Sequence, residues 1–243
     1  MIRTIIWLIT VVILLILTLP FLIVARLIQG QDKYKAAPGF VYDFIVGVLV
    51  RFALWLGGCE PEIRGLDNIP DGPVLFAGNH QGYCEIVMLL VTLRPLPCIV
   101  AKKELLKIPV IASWMKLFRV VFMDRSSLRA GLKCIEDQQD QLQHGNSALI
   151  FPEGTRSKGP NMGQFRNGAF KSAIKANVPV VPFAVEGTYK VFEERKRLTM
   201  AHCIISFLPP VMPAEDETTA SLSDKVKAKI QAELDSIRAE KDE

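Results

Sequence analysis

The longest uninterrupted apolar stretch of the chain lies near its N-terminus. Residues 4–25, between Arg3 and Arg26, are 22 positions without a charged side chain. A helix of about 20 apolar residues crosses the hydrocarbon core of a bilayer, so this pattern predicts a membrane-inserted helical segment. A cleaved signal peptide has a shorter apolar stretch followed by a small-residue cleavage site, and we therefore expect the segment to be retained.

A second apolar stretch, residues 39–58, is interrupted by Asp43 and Arg51. Charged residues at the centre of a bilayer are costly, which favours an interfacial helix or one half of a hairpin over an independent span. The change from long apolar stretches to a mixed sequence after residue 58 divides the chain in two. We expect residues 1–58 to be a membrane anchor with interfacial helices and residues 59–243 to be a globular domain.

After residue 60 the apolar positions fall into short runs separated by helical patterns. Strands that alternate with helices predict an α/β domain with a mixed, largely parallel sheet flanked by helices, where ligands bind beyond the carboxyl ends of strands. Pro179 and Pro182 lack an N–H donor, which favours a sheet edge or the rim of a tunnel for their run. The predicted strands are residues 74–78, 98–101, 119–122, 148–152, 178–185 and 203–208.

Helical periodicity predicts three helices in the same region. In residues 127–145, Ser127 can cap the start and Gly145 can end the helix. A second helix is predicted over residues 164–177, and residues 221–240 predict a terminal amphipathic helix docked on the domain. The apolar faces are expected to comprise Leu128, Leu132, Ile135 and Leu142 in the first of these helices, and Leu222, Val226, Ile230, Leu234 and Ile237 in the last.

Charge and cysteine content narrow the classes of function. Positive charge is heavier after the N-terminal segment (Arg26, Lys33, Lys35) than before it (Arg3), which places the domain on the cytoplasmic face of a membrane. The net charge is only +4 and there is no long basic run, so nucleic acid is not an expected partner.

The five cysteines are odd in number and contain no CxxC motif, which argues against a disulfide framework and a structural zinc site. The three histidines form no HExxH motif, and no metal is expected. Cys84 is expected to serve in helix packing. No G-x-S-x-G motif occurs, which weakens a serine acyl-enzyme route.

The candidate chemistry begins in the segment GNHQGYCEIVML, residues 78–89, which follows a predicted strand. Residues five apart in mid-helix are about 140° apart in projection, so His80 can pair with Glu85 only if it precedes the helix. Glu85 then lies in the first turn, where the helix dipole favours a carboxylate. A histidine held by a carboxylate is a competent general base. The alternative is that Asn79 and His80 satisfy strand-end backbone groups and Glu85 is a first-turn charge.

A second motif, FPEGTRS at residues 151–157, follows another predicted strand. It brings Glu153, Thr155 and Arg156 into a turn built around Gly154. The planar fork of Arg156 suits a phosphate. The alternative is a simple ion pair between Glu153 and Arg156 across the turn.

Together these motifs resemble the glycerolipid acyltransferase family over about residues 70–190. That family has a histidine, four residues and an aspartate, then a basic and apolar block, FPEGTRS, and a Val-Pro-rich strand. Here His80 matches the family's catalytic base, residues 102–125 resemble the second block, which ends at Arg125, and VPVVPF at 178–183 resembles the fourth. Glu85 stands where the family usually has aspartate, and its extra methylene lengthens the reach of the carboxylate.

The resemblance implies acyl transfer from a thioester of coenzyme A or acyl carrier protein to a glycerol phosphate or its lyso derivative. We expect lysophosphatidic acid as acceptor at the sn-2 hydroxyl, phosphatidic acid as product, membrane lipids as surroundings and no bound cofactor. Arg156 is expected to bind the acceptor phosphate with Glu153 orienting the site, and Gly154 and Thr155 of the same turn belong to the phosphate-binding set. Arg125, Lys102 and Lys103 are expected to add positive charge. The alternatives are another acceptor, such as glycerol 3-phosphate or another lysolipid, and a non-catalytic lipid-binding membrane protein.

Overall fold

The computed structural model describes residues 1–123 and 128–242, in which seven strands form one sheet in the order β1-β7-β6-β2-β5-β3-β4. The neighbours from β6 through β4 pair in parallel, whereas β7 is antiparallel to β6 and parallel to β1. The predicted α/β class with a mixed, largely parallel sheet is confirmed. The strands are β1 (Cys59–Arg64), β2 (Leu75–Gly78), β3 (Cys98–Lys102), β4 (Val121–Met123), β5 (Ala148–Ile150), β6 (Val180–Glu186) and β7 (Ala201–Phe207).

All six predicted strands occur, and β1 is an addition. The predictions rested on apolar runs, but β1 (CEPEIR) alternates charged and apolar residues and, within the described residues, pairs along one edge, with β7. An edge strand has one face or edge in contact with water and therefore tolerates Glu60, Glu62 and Pro61.

The edge position predicted for the proline-containing strand is wrong. Strand β6 lies inside the sheet, between β7 and β2. The carbonyl of Pro182 accepts a hydrogen bond from Leu208 N (2.8 Å), just past the end of β7 at Phe207. The backbone nitrogen and carbonyl of one strand residue point towards the same neighbouring strand. The missing donor of the proline therefore falls at the end of the antiparallel ladder, and Pro179 precedes the strand.

The helices cover both faces of the sheet. Within the described residues the α-helices are α1 (Ile2–Leu17), α2 (Leu19–Gln29), α3 (Arg51–Gly57), α4 (Cys84–Thr92), α5 (Pro109–Leu117), α6 (Leu128–Gln143), α7 (Lys171–Ala176) and α8 (Thr219–Asp242). One apolar core lies between the sheet and the N-terminal helices with α4 and α5, and the other contains residues of α6, α7 and α8.

The three predicted helices of the domain occur with changed detail. The helix over 164–177 is a 3-10 turn, Asn167–Phe170, followed by α7. Gly145 follows α6 with φ +80°, whereas the predicted cap Ser127 lies outside the described residues. All five apolar residues predicted to dock α8 are fully buried.

The predicted apolar face of α6 is wrong at Leu132, which is 47% exposed. The buried face is instead formed by Cys134, Gln138, Gln141 and Leu142. Gln138 can be buried because its amide donates to the carbonyl of Leu149 (3.4 Å).

The N-terminal apolar segment is divided into α1 and α2, which meet at 47°. Pro20 lies in the first turn of α2, where its ring opposes continuation of α1 and its missing N–H costs nothing. Across residues 1–123 and 128–242, the length and composition needed to cross a bilayer are reached by this bent pair and by no single helix.

Helix α1 is attached to the helix that precedes β1. Trp7 Nε1 donates to the carbonyl of Ala53 (2.7 Å) and Arg3 Nε to that of Leu56 (3.1 Å). This second helix comprises a π-helical stretch, Val41–Val50, and α3. Its Asp43 pairs with Arg94 (2.7 Å), so the charge that interrupts the apolar pattern contacts the globular part of the chain.

Candidate active site

His80 lies between the end of β2 at Gly78 and the start of α4 at Cys84. Its Nδ1 is 2.8 Å from Oε1 of Glu85, in the first turn of α4. The side chain of Glu85 is fully buried and that of His80 is 14% exposed. The sequence-predicted pair is therefore formed, and the imidazole retains access to its surroundings while the carboxylate has none.

The carboxylate of Glu85 is held by the backbone as well as by the histidine. Gly82 N donates to the same Oε1 (2.7 Å), so Glu85 reaches back over the helix start as in a capping box. An ionised carboxylate can only accept, so with Glu85 ionised the donor in the pair is His80 Nδ1–H, and Nε2 is left as the proton acceptor. The longer side chain of glutamate is compatible with the pair.

The backbone before His80 is fixed by the adjacent strand. The Asn79 side chain donates to Val185 O (2.8 Å) and accepts from Val185 N (2.7 Å) in β6. Asn79 therefore satisfies strand-end backbone groups, as the alternative interpretation of the motif predicted. The His80–Glu85 pair is formed as well.

The FPEGTRS segment wraps around His80. The Phe151 ring stacks on the imidazole with centroids 4.1 Å apart and planes at 20°. Ser157 N donates to His80 O (2.8 Å), and Glu153 Oε1 accepts from His80 N (2.7 Å). The two sequence motifs thus form one structural unit, because β2 and β5 are parallel neighbours and end at the same edge of the sheet.

Glu153 binds backbone and does not pair with Arg156. Its second oxygen, Oε2, accepts from Gly163 N (2.8 Å), and the residue is 6% exposed. Burial raises the pKa of the Glu153 carboxyl, while the hydrogen bonds from His80 N and Gly163 N lower it. These contacts make Glu153 a support of the histidine backbone.

Gly154 adopts a left-handed conformation, with φ +70°. A Cβ at this position would lie 2.9 Å from Nε of Arg166. The turn therefore favours glycine for its conformation, and the side chain of Arg166 packs against it.

Arg156 is held by two residues that the sequence analysis missed. Its Nη1 donates to Glu193 Oε1 (2.9 Å), its Nη2 to the Tyr83 hydroxyl (3.1 Å), and its guanidinium lies 3.7 Å from the centroid of the Tyr83 ring. Burial raises the pKa of the Glu193 carboxyl, and the charge of nearby Glu85 acts in the same direction. Glu193 lies 37 positions after Arg156 and belongs to no motif, so the sequence carried no signal for this pair.

The remaining predicted site residues are more distant or undescribed. Thr155 is exposed in the turn. Lys102 and Lys103 are exposed at the carboxyl end of β3, two strands away from β2. Arg125 lies outside the described residues. The structure brings together His80, Glu85, Glu153 and Arg156. The catalytic and phosphate-binding roles of all the predicted site residues stay predictions.

An apolar cavity of about 800 Å³ lies between the N-terminal helices and the domain. Its wall includes Tyr83 and Glu193, the two residues that hold Arg156. It is lined further by Val11 and Leu15 of α1, Ile45 and Leu49 of the π-helical stretch, and Val87 and Leu90 of α4.

Comparison with known proteins identifies relatives of this fold and sequence. The family model described as Acyltransferase matches residues 60–186. A 1-acyl-sn-glycerol-3-phosphate acyltransferase of Pseudomonas aeruginosa is 38% identical over 148 residues, which are 59% of this chain and 57% of that protein. The 1-acyl-sn-glycerol-3-phosphate acyltransferase alpha of Homo sapiens is 32% identical over 193 residues, 75% of this chain and 66% of that protein.

The match to the bacterial relative thus spans less than two thirds of that protein. Among solved structures, the crystal structure of the 1-acyl-sn-glycerophosphate (LPA) acyltransferase PlsC from Thermotoga maritima is similar, with a TM-score of 0.82 and 24% identity. The superposition covers 98% of this chain and 95% of that one, including the N-terminal helices. At this level of identity the likeness concerns the fold.

Proposed function

This chain belongs to the acyltransferase family, and from that premise we propose that it is a 1-acyl-sn-glycerol-3-phosphate O-acyltransferase. The reaction transfers an acyl chain from a thioester of coenzyme A or acyl carrier protein to the sn-2 hydroxyl of lysophosphatidic acid and yields phosphatidic acid. The observation that carries the proposal is the 2.8 Å contact between His80 Nδ1 and Glu85 Oε1, just after the carboxyl end of β2. The names of the relatives support the choice of acceptor.

His80 serves as the general base. With Nδ1–H donated to Glu85, Nε2 takes the proton of the acceptor hydroxyl as its oxygen attacks the thioester carbonyl. The buried carboxylate stabilises the imidazolium that forms. Stacking on Phe151 and the hydrogen bonds to both backbone groups of His80 restrict the ring to one orientation.

The leaving group needs less assistance than the nucleophile. A thiol has a pKa of about 8.5, so a thiolate departs readily from the tetrahedral intermediate and can recover the proton from His80. An alcohol must lose its proton to attack, which makes one well-placed base the main requirement. This chemistry uses no metal or bound cofactor.

Arg156 binds the acceptor phosphate. Its guanidinium is planar, stacked on Tyr83 and oriented by Glu193, and a fork held in this way suits the oxygens of a phosphate. Glu193 and Tyr83 thus take the orienting role that the sequence analysis assigned to Glu153. Arg125, Lys102 and Lys103 are proposed to add positive charge around the headgroup.

The apolar cavity accommodates an acyl chain. It begins beside the residues that hold Arg156 and extends between α1 and α4, so a chain in the cavity would leave the polar headgroup near Arg156. A cavity of about 800 Å³ falls in the usual range of ligand sites. Insertion of the bent α1–α2 pair into the cytoplasmic leaflet would deliver lipid substrate to this opening.

The direct test is an assay of detergent-purified protein with long-chain acyl-CoA and lysophosphatidic acid, with thiol release and phosphatidic acid measured together. We expect acceptor-dependent product, and a loss of at least about 10²-fold in His80→Ala. His144→Ala, which changes an exposed histidine, is the matched control and should be unaffected. Wild-type turnover in His80→Ala would remove His80 as the base.

The same assay separates the alternatives when the substrates are varied. Faster turnover on glycerol 3-phosphate or another lysolipid would change the acceptor, and turnover only with acyl carrier protein would define the donor. Binding of lysophosphatidic acid without turnover under either donor would support the non-catalytic lipid-binding protein instead.

A further inference from the structure

Three cysteines from distant parts of the chain meet beside the candidate active site. Cys59 begins β1, Cys84 begins α4 and Cys203 lies in β7, and all three are buried. Their sulfur atoms lie within 4.8 Å of one another. The thiol of Cys203 donates to the carbonyl of Ala201 (3.4 Å). The acyl-transfer chemistry uses none of these groups.

We propose that Cys59, Cys84 and Cys203 form a binding site for a thiophilic divalent cation such as Zn²⁺ or Cd²⁺. Thiolates are the ligands that select soft and borderline ions over Mg²⁺ or Ca²⁺. At a Zn–S distance of about 2.3 Å, three sulfurs of a tetrahedral site lie roughly 3.8 Å apart. The sulfur–sulfur distances here are at most 4.8 Å, only a little longer than this value. A small contraction of the cluster therefore suffices for coordination.

The electrostatic surroundings favour a cation over three free thiolates. Glu85 is fully buried and close enough for its charge to act on Cys59 and Cys203. Cysteines bind a metal as thiolates, so binding leaves negative charge on the three ligands. A divalent ion balances most of this charge in the apolar site. The start of α4 at Cys84 adds the positive end of a nine-residue helix.

The site has a route of entry and an open position. Cys59 and Cys84 line the apolar cavity, whereas Cys203 lies behind them with no exposed surface. Three protein ligands leave the fourth tetrahedral position available to water or another ligand from the cavity.

The experiment is a titration of the reduced full-length chain with Cd²⁺, followed by the ultraviolet charge-transfer absorption of cadmium thiolate. We expect saturation at one equivalent per chain. Cys203→Ala should weaken binding by at least about 10- to 100-fold, the loss seen when only an outer-shell partner of a metal site is removed. The matched controls are Cys98→Ala and Cys134→Ala, which change buried cysteines outside the cluster and should bind as the wild type does.

The proposal is overturned if the wild type shows no such band or if the control variants lose it as fully as Cys203→Ala. Circular dichroism reports whether each variant is folded. Should Cys203→Ala not fold, Cys59→Ala replaces it, and X-ray absorption at the cadmium edge counts the sulfur ligands of the wild-type chain directly. Three sulfurs are expected, and one or none would overturn the site. The readout is independent of acyl transfer, so it stands whether or not the proposed enzymatic function does.

Discussion

At the scale of single residues, the candidate site is a histidine whose ring and backbone are held by four neighbouring residues, while the imidazole stays partly accessible. Glu85 forms a hydrogen bond with Nδ1, and Phe151 stacks on one face of the ring. Glu153 accepts from the backbone N–H of His80, and Ser157 N donates to its carbonyl. As the proposed base, a ring held in this way would lose little entropy on the approach to the transition state. The contacts of Glu85 and Arg156 each lead to a measurable expectation.

Replacing Glu85 separates its charge from its shape. Glu85→Gln keeps the size of the side chain but removes the charge that stabilises the imidazolium, and we expect kcat to fall by about 10²-fold or more. Glu85→Asp keeps the charge and should retain most activity. Glu60→Gln, in exposed β1, is the control. Equal kcat in wild type and both Glu85 variants would make this carboxylate structural.

Replacing Arg156 tests recognition of the acceptor. Arg156→Ala removes charge-assisted hydrogen bonds to phosphate, and we expect the acceptor KM to rise about 10- to 100-fold while the donor KM stays unchanged. Arg195→Ala changes an arginine paired with Glu194 on the surface and serves as the matched control.

Arg156→Lys distinguishes geometry from charge, since lysine cannot reproduce the fork stacked on Tyr83. It should recover only part of the loss. A rise in the donor KM alone would assign Arg156 to the other substrate.

At the scale of elements, the site depends on parallel strands that end at one edge of the sheet. Register sets Leu75 of β2 against Ala148 of β5, so the loops that follow both strands emerge side by side. The helices on the other side of these loops form the cavity, with α1, the π-helical stretch and α4 each contributing apolar side chains. The volume between these helices should limit the length of the acyl chain.

Filling the cavity should change chain-length preference. In Leu49→Trp the larger side chain occupies space in the cavity, and each methylene that no longer fits costs about 0.8 kcal/mol of burial. We expect kcat/KM to fall several-fold for long-chain donors relative to short ones. Val48→Trp places the same side chain on the adjacent position, which is 52% exposed, and should leave the preference unchanged. The same ratio in both variants would exclude this cavity as the acyl site.

At the scale of the whole molecule, the N-terminal pair α1–α2 gathers much of the exposed apolar surface. Ile5, Ile9, Val12 and Ile16 of α1 are each at least 54% exposed. An apolar surface of this kind on helices packed against the cavity suits contact with a lipid bilayer. The active site and the lipid surface would then lie on the same side of the protein.

Membrane association should depend on this surface. Ile9→Asp puts a charge on the exposed face of α1 and should reduce co-flotation with phospholipid vesicles about tenfold or more, because an apolar side chain of this size contributes roughly 1.5–3 kcal/mol on burial. Leu66→Asp, at a residue 48% exposed in a turn of the domain, is the control. Equal flotation of both variants would argue against insertion of α1.

Much of the fold and the centre of the site were evident from sequence alone, because they follow from local patterns. Short apolar runs predicted six of the seven strands that the described residues form. The spacing of apolar residues predicted α8 and the five side chains that it buries. The positions of His80 before a helix and Glu85 in its first turn follow from helix geometry, and the pair is formed at 2.8 Å.

Only the tertiary structure determined the contacts between segments far apart in sequence. Arg156 meets Glu193 and Tyr83, and Cys203 meets Cys59 and Cys84, because strand order places β6 beside β2 and β7 beside β1. A local pattern records which face of an element is buried, but not which element covers it. The charged edge strand β1, the interior position of Pro182 and the supporting role of Glu153 depend on such neighbours, which the order of strands in the sheet defines.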